Sequence, residues 1–179
     1  MSKKVLIVSS SFRKNSNSEM LATEFANGVK DAGNDVEVIT LRDKNLNFCK
    51  GCLACQKTMQ CVIKDDAVEI AEKMKKADVL VFATPVYYYS ISGQLKTMLD
   101  RANPLYPSDY QFRDIYLLTC AAEDEESTAI GAKKAIQGWV DCFGKAKFKA
   151  TVFGGGVGDP GDMEGHKALK EAYNMGKTV

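Results

Sequence analysis

The chain has 179 residues, of which 45% are hydrophobic and 26% charged, and its formal net charge is +1. Such a composition belongs to an ordinary globular chain able to bury its own core, expected here as one domain over residues 1–179. The near-neutral balance leaves no electrostatic footprint for nucleic acid or an acidic membrane. The apolar run Val5–Val8 is too short for a signal-peptide core or a membrane span, so the expected location is the cytoplasm. In that reducing compartment, clustered cysteines act as ligands or redox thiols more often than as structural disulfides.

The first predicted strand is KVLIV, Lys4 to Val8. A polar loop follows at once, S-S-S-F-R-K-N-S-N-S from Ser9 to Ser18, and then a helical face of Leu21, Phe25 and Val29. Hydroxyls, a guanidinium and the free N–H groups of a helix start make such a loop suited to an anion, a phosphate in particular. It carries neither a P-loop nor a dinucleotide fingerprint. A plain polar loop with a capping serine would read the same way on composition alone. Ser16 with Glu19 has capping-box spacing, and Gly33 stands where this helix would stop.

The second strand, VEVIT (Val36–Thr40), leads into FCKGCLACQKTMQC. Within this Cys-rich loop at 48–64, Cys49, Cys52, Cys55 and Cys61 have the spacing C-x2-C-x2-C-x5-C. The lone histidine, His166, is far away and reads as a surface residue, so any metal here would be held by sulfur alone. A cluster, a zinc ion, a redox pair and packed buried thiols all remain open on spacing. A third-period face of Val68, Ala71 and Met74 comes next, with Asp66 and Glu69 as its capping pair.

DVLVFA (Asp78–Ala83) is the third strand, followed by T-P-V-Y-Y-Y-S-I-S-G-Q-L-K and a helix through Leu95, Met98, Leu99 and Ala102. Three adjacent tyrosines at a strand end offer either a platform for a planar ring or an aromatic contact with a partner subunit. IYLLTC (Ile115–Cys120) precedes the face Ala132, Ala135, Ile136, Trp139, Val140 and Phe143, expected to end near Gly144. FKATVF (Phe148–Phe153) precedes a last face of Leu169, Ala172 and Tyr173. Between them, Gly156, Gly158 and Gly161 satisfy G-x-G-x-x-G, but the chain ends before the strand and acid that the fingerprint needs, so this is a flexible loop beside the site. Cys120 and Cys142 read as core residues. Five strands alternating with five helices define a doubly wound parallel α/β sheet, with ligands expected at the carboxyl edge of the strands.

The first loop resembles the S-x-R-x-x-[GS]-N-[ST] phosphate loop of the flavodoxin-like NADPH-dependent FMN reductase family, with Phe12 where many relatives have proline. The tyrosine loop resembles that family's T-P-V-Y-x-x-S-x-S-G-x-[LM]-K segment. The resemblance implies a flavodoxin-like three-layer sandwich with sheet order 2-1-3-4-5. It also implies FMN, its phosphate on Ser11, Arg13, Ser16, Asn17 and Ser18, its ring on Pro85, Val86, Tyr87, Tyr88, Ser90 and Gly93, and a third contact from Cys120, Ala121 and Ala122. The Cys-rich loop and the following V-I-K-D-D resemble the iron–sulfur flavoprotein branch, which implies a four-iron four-sulfur cluster on Cys49, Cys52, Cys55 and Cys61. Relatives with flavin and no cluster also keep cysteines here.

The activity so implied is transfer of electrons from NAD(P)H as co-substrate, or from a ferredoxin-type protein donor, to a flavin, quinone or similar small acceptor. No side chain is assigned as acid or base. The alternatives are an electron carrier without a substrate of its own, and an FMN-binding protein with a structural zinc or a packed cysteine loop. The resemblance further implies a homodimer or homotetramer, with no nucleic acid or membrane as partner.

Overall fold

The structure, a computed structural model, describes residues 2–179. Each predicted run becomes a strand: β1 (Lys4–Ser9), β2 (Asp35–Thr40), β3 (Val79–Pro85), β4 (Asp114–Cys120) and β5 (Lys147–Gly154). They form one parallel sheet in the order β2-β1-β3-β4-β5. Val5 of β1 is in register with Val36 on one side and Val79 on the other. From β1 the chain winds outward to β2, then returns across β1 to β3. The strand order therefore reverses between β1 and β3, and the loops leaving their carboxyl ends part to open a crevice there.

Alternation of side chains divides the core in two. Leu6, Val8, Leu80, Phe82 and Leu117 face one way, against Ile70 and Met74 of α3 (Asp66–Lys76), Leu95 and Met98 of α4 (Gly93–Arg101), and Ile136 of α5 (Ile130–Val140). Val5, Ile7, Val79, Val81 and Leu118 face the other, against Leu21 and Phe25 of α1 (Asn17–Asp31) and Ala168 and Ala172 of α6 (Lys167–Lys177). Both faces are covered, which is why the central strands read as unbroken apolar runs.

Two glycines decide how α1 and α6 meet. A Cβ on Gly28 would overlap the Tyr173 carbonyl oxygen, and one on Gly176 would overlap that of Phe25. The helices thus touch backbone to backbone. Gly176→Ala is expected to cost about 1–3 kcal/mol through overpacking, more than the helix-propensity gain of about 1 kcal/mol. A fall in the thermal midpoint of the variant is the check.

Helix boundaries depart from expectation at several points. Ser16 caps α1, its Oγ accepting from Glu19 N at 3.2 Å, and Gly33 takes a left-handed φ of 81° just past the helix end, both as expected. The cap of α3 is Asp65, not Asp66: Asp65 Oδ1 accepts from Ala67 N at 3.1 Å, while Asp66 Oδ2 accepts from Asn45 N at 2.7 Å. α5 stops at Val140, four residues before Gly144, so Phe143 reaches the core from a turn rather than from the helix. Cys142 is exposed in that turn rather than buried. His166 is half-buried as the cap of α6, its Nδ1 accepting from Ala168 N at 3.1 Å. A short α2 (Cys55–Thr58) lies within the Cys-rich loop, where no helix was expected.

Candidate functional site

At the carboxyl ends of β1, β3, β4 and β5, backbone pairing continues past the strands. Ser10 N donates to Ala83 O at 2.9 Å, Val86 N to Cys120 O at 2.8 Å, Ala121 N to Gly154 O at 3.1 Å and Val157 N to Ala121 O at 2.9 Å. Buried hydroxyls lock these loops sideways. Ser92, the cap of α4, donates its Oγ to Ser10 Oγ at 2.9 Å; its N–H reaches Thr84 Oγ1 at 3.1 Å, and Thr119 Oγ1 donates to Thr84 O at 2.8 Å. The crevice is therefore held open by strands and caps, not by loop chance.

The cleft has a volume of about 250 Å³. Ser11, Arg13, Ser16, Asn17 and Ser18 line one end, and Pro85, Val86, Tyr87, Cys120, Ala121 and Ala122 line the rest. Two segments far apart in sequence, with the third loop, thus meet in one place. Its lining holds one guanidinium, the buried hydroxyls of Ser11, Ser16 and Ser18, and no carboxylate. With the start of α1 behind them, these groups suit a phosphate.

Details depart from the sequence reading. Asn17 uses its amide on the chain: Nδ2 donates to Asp159 O at 2.9 Å and Oδ1 accepts from Met163 N at 3.2 Å. Arg13 Nη1 donates to Gly158 O at 2.8 Å. The glycine loop is consequently a wall of the cleft, contributing Val157, Gly158 and Pro160, which sequence reasoning missed. The glycines at 156, 158 and 161 gave no sign of that tie. Arg42 was also missed: it donates to Arg13 O at 3.0 Å and pairs with Glu19 at 3.3 Å, bracing the phosphate-type loop from behind.

The tyrosine loop is a tight hairpin. Tyr87 and Ser90 exchange backbone hydrogen bonds at 3.0 and 3.1 Å, with Tyr88 and Tyr89 at φ of 47° and 61° between them. This geometry normally selects Asn-Gly, and each left-handed tyrosine costs about 1–2 kcal/mol. Surrounding contacts hold it. Tyr89 Oη donates to Glu123 Oε1 at 3.0 Å, and Gly131 lets the Tyr89 carbonyl approach α5 where any Cβ would collide. Tyr87 reaches the cleft; Tyr88 is fully exposed at the tip, and Ser90 and Gly93 stand behind the cleft lining, closing the hairpin and opening α4.

Cys120 lines the cleft as a buried free thiol. Burial pushes its thiol up to about 12, against hydrogen bonds from Ser18 and the charge of Arg13. At about pH 8, a neutral thiol stays unreactive, so iodoacetamide should label the exposed Cys49, Cys52 and Cys142 but spare Cys120. Peptide mass spectrometry of the native, flavin-free chain would show otherwise if Cys120 were open.

The four clustered cysteines ring a second pocket of about 390 Å³, together with Lys50, Asp100 and Asn103. All are free thiols; Cys49 and Cys52 are exposed, Cys61 is half-buried and Cys55 buried. Asn103 Nδ2 donates to Cys55 Sγ at 3.2 Å, and Gly51 N to Cys49 Sγ at 3.4 Å. Among the described residues, no three His, Cys, Asp or Glu groups converge on a single metal ion. The sulfurs surround a space instead of meeting at a point.

The sheet order, and a cleft at its switch point that combines anion donors with an apolar lining, define a flavodoxin-type protein. No helix among the described residues is long and apolar enough to cross a membrane. Residues 3–139 match the model of the NADPH-dependent FMN reductase family, and the chain belongs to that family. An iron–sulfur flavoprotein of Methanocaldococcus jannaschii is 42% identical over 102 residues, 57% of this chain and 53% of that one. Another, of Archaeoglobus fulgidus, is 26% identical over 170 residues, 93% of this chain and 74% of that protein. The chain spans about half the length of several such relatives. Among solved structures, NAD(P)H:quinone oxidoreductase from Methanothermobacter marburgensis superposes with a TM-score of 0.78 over 99% of this chain and 96% of that one, at 20% identity, a likeness of fold.

Proposed function

We propose that this chain is an FMN-dependent oxidoreductase that accepts electrons from NAD(P)H or a ferredoxin-type donor and passes them to a flavin, quinone or similar small acceptor. The observation that carries the reading is the convergence of the phosphate-type loop, the tyrosine loop and the Cys120–Ala122 segment on one cleft without a carboxylate in its lining. That donor set fits the cofactor. Arg13, the three serine hydroxyls and the N–H groups opening α1 would hold its phosphate. Pro85, Val86, Tyr87 and the Cys120–Ala122 segment would lie along its ring and keep water from it. When bound, FMN supplies the hydride and single-electron chemistry. No side chain of the cleft has to move a proton.

Cys49, Cys52, Cys55 and Cys61 are read as ligands of a four-iron four-sulfur cluster. Thiolates placed around a volume suit a cluster, whose irons each take one ligand, better than a single zinc ion. Inert packing would account for the buried Cys55 but not for Cys49 and Cys52, which face solvent. In this reading the protein works in the cytoplasm as a homodimer or homotetramer. Phe48 and Tyr88, 79% and 102% exposed, are side chains that contact between copies would cover.

The test is purification without oxygen, followed by measurement of FMN, iron and sulfide and of flavin bleaching by NADPH, NADH or reduced ferredoxin. About four iron and four sulfide per FMN, with rapid bleaching, support the whole reading. Flavin and nucleotide oxidation without iron leave the simple reductase. A chain that takes up no FMN overturns the proposal.

A further inference from the structure

The cluster reading leaves one buried charged group without a role. Arg101, the last residue of α4, has a side chain with no solvent exposure, as has its partner Asp65. Its Nη1 donates to Asp65 Oδ2 at 2.6 Å and to Asn47 O at 2.8 Å; its Nη2 donates to Asp65 Oδ1 at 2.8 Å and to Ile63 O at 3.0 Å. Asn47 lies two residues before Cys49, and Ile63 two residues after Cys61. One guanidinium thus clasps both stems of the cysteine loop. Asp65 completes the clasp by accepting from Asn47 N and Nδ2 at 2.8 and 3.0 Å.

The remaining donor, Arg101 Nε–H, is buried and has no partner. Buried N–H groups are rarely left so, and each exception calls for an acceptor. Cys61, two residues before Ile63 and lining the cysteine pocket with it, is the neighbouring candidate. A buried ion pair is weak evidence for stability, because apolar residues of similar volume often serve a fold as well.

We propose that Arg101 is a positioning residue for the cluster: it joins the two stems of the cysteine loop through Asn47, Ile63 and Asp65 and offers Nε–H to the Cys61 sulfur. This rests on the cluster reading of the four cysteines. Two effects follow. Closing the loop at its base keeps all four sulfurs around one space, so cluster retention depends on the fork. A hydrogen bond to a ligating sulfur draws charge from it and favours the reduced cluster, so the midpoint potential depends on Nε.

The experiment reconstitutes wild type, Arg101→Lys and the double variant Arg101→Met/Asp65→Leu without oxygen, using ferrous iron and sulfide. It then reads iron per chain, the rate of iron loss to a chelator, the cluster midpoint potential, and FMN per chain as a control of folding. Arg101→Lys keeps the charge and loses the fork; it should hold FMN as wild type does, lose iron about 10-fold faster or more, and show a lower midpoint potential. The double variant keeps an apolar fill and should do the same, which decides the matter where Arg101→Lys fails to fold. Variants with FMN, iron retention and potential all equal to wild type would make Arg101 a brace of the fold and overturn the proposal alone. A wild-type chain that binds FMN but no iron would overturn the cluster reading, and this proposal with it.

Discussion

Arg13→Ala is expected to weaken FMN binding roughly 10- to 100-fold, the worth of a hydrogen bond to a charged group at about 1.5–3 kcal/mol. Arg13 is the one cation in the cleft lining, so nothing nearby replaces it. Riboflavin, which has no phosphate, separates this effect from damage to the cleft: its affinity should be nearly unchanged by the substitution. Asn17→Ala makes the contrast. It cuts the ties to Asp159 and Met163 that hold the glycine-loop wall, and should weaken FMN and riboflavin together. Quenching of flavin fluorescence on titration measures both. Equal losses for the two flavins in Arg13→Ala would mean that the guanidinium braces Gly158 and does not hold phosphate.

Asp65→Ala should destabilise the flavin-free chain by about 3–5 kcal/mol, because it leaves the Arg101 charge buried without its partner. It also removes the cap of α3 and the acceptor for Asn47. Urea unfolding gives the size of the loss, and Asp65→Leu/Arg101→Met should recover much of it. The same pair sets an acid limit. Burial would raise the Asp65 pKa, but hydrogen bonds from Arg101 and Asn47 outweigh it and lower the value from 3.8 to about 2. A carboxylate depressed in the folded state stabilises it fully above its unfolded pKa and loses that effect as pH falls through the folded one. The contribution of Asp65 is therefore complete above about pH 4 and lost toward pH 2. Wild type should lose stability over that window more steeply than the double variant.

The helix layers were less legible than the strands. VLIV and VLVFA read as buried strands from their shortness and β-branched content, since strands covered on both faces demand apolar residues at every position. Asp65 and Asp66 are both good caps, and only the buried Arg101, 36 residues away, selects Asp65. Cys142 fits a core helix by composition, but α5 ends two residues earlier and leaves it in a turn facing solvent. The glycine loop shows the same limit. Its residues announce flexibility, whereas Arg13 and Asn17 hold it in place from about 145 positions away. A separation of that size leaves no trace in local pattern.

The order of residues by itself determined the alternation of strands and helices, the anion-type loop after β1, the tyrosines after β3 and the cysteine spacing, because these depend on local periodicity and on side-chain chemistry. Tertiary structure alone decided what they do together. The reversal of strand order between β1 and β3 brings two loops some 70 residues apart into one cleft, where Ser10 meets Ser92 and Ala83. Packing against Gly131 and Glu123 holds Tyr88 and Tyr89 in a turn their own propensity disfavours. Burial of Arg101 with Asp65 ties both stems of the cysteine loop to the end of a helix whose start borders the cleft. Local preference is worth about a kilocalorie per residue, and contacts between distant segments outweigh it wherever burial leaves a polar group no other partner.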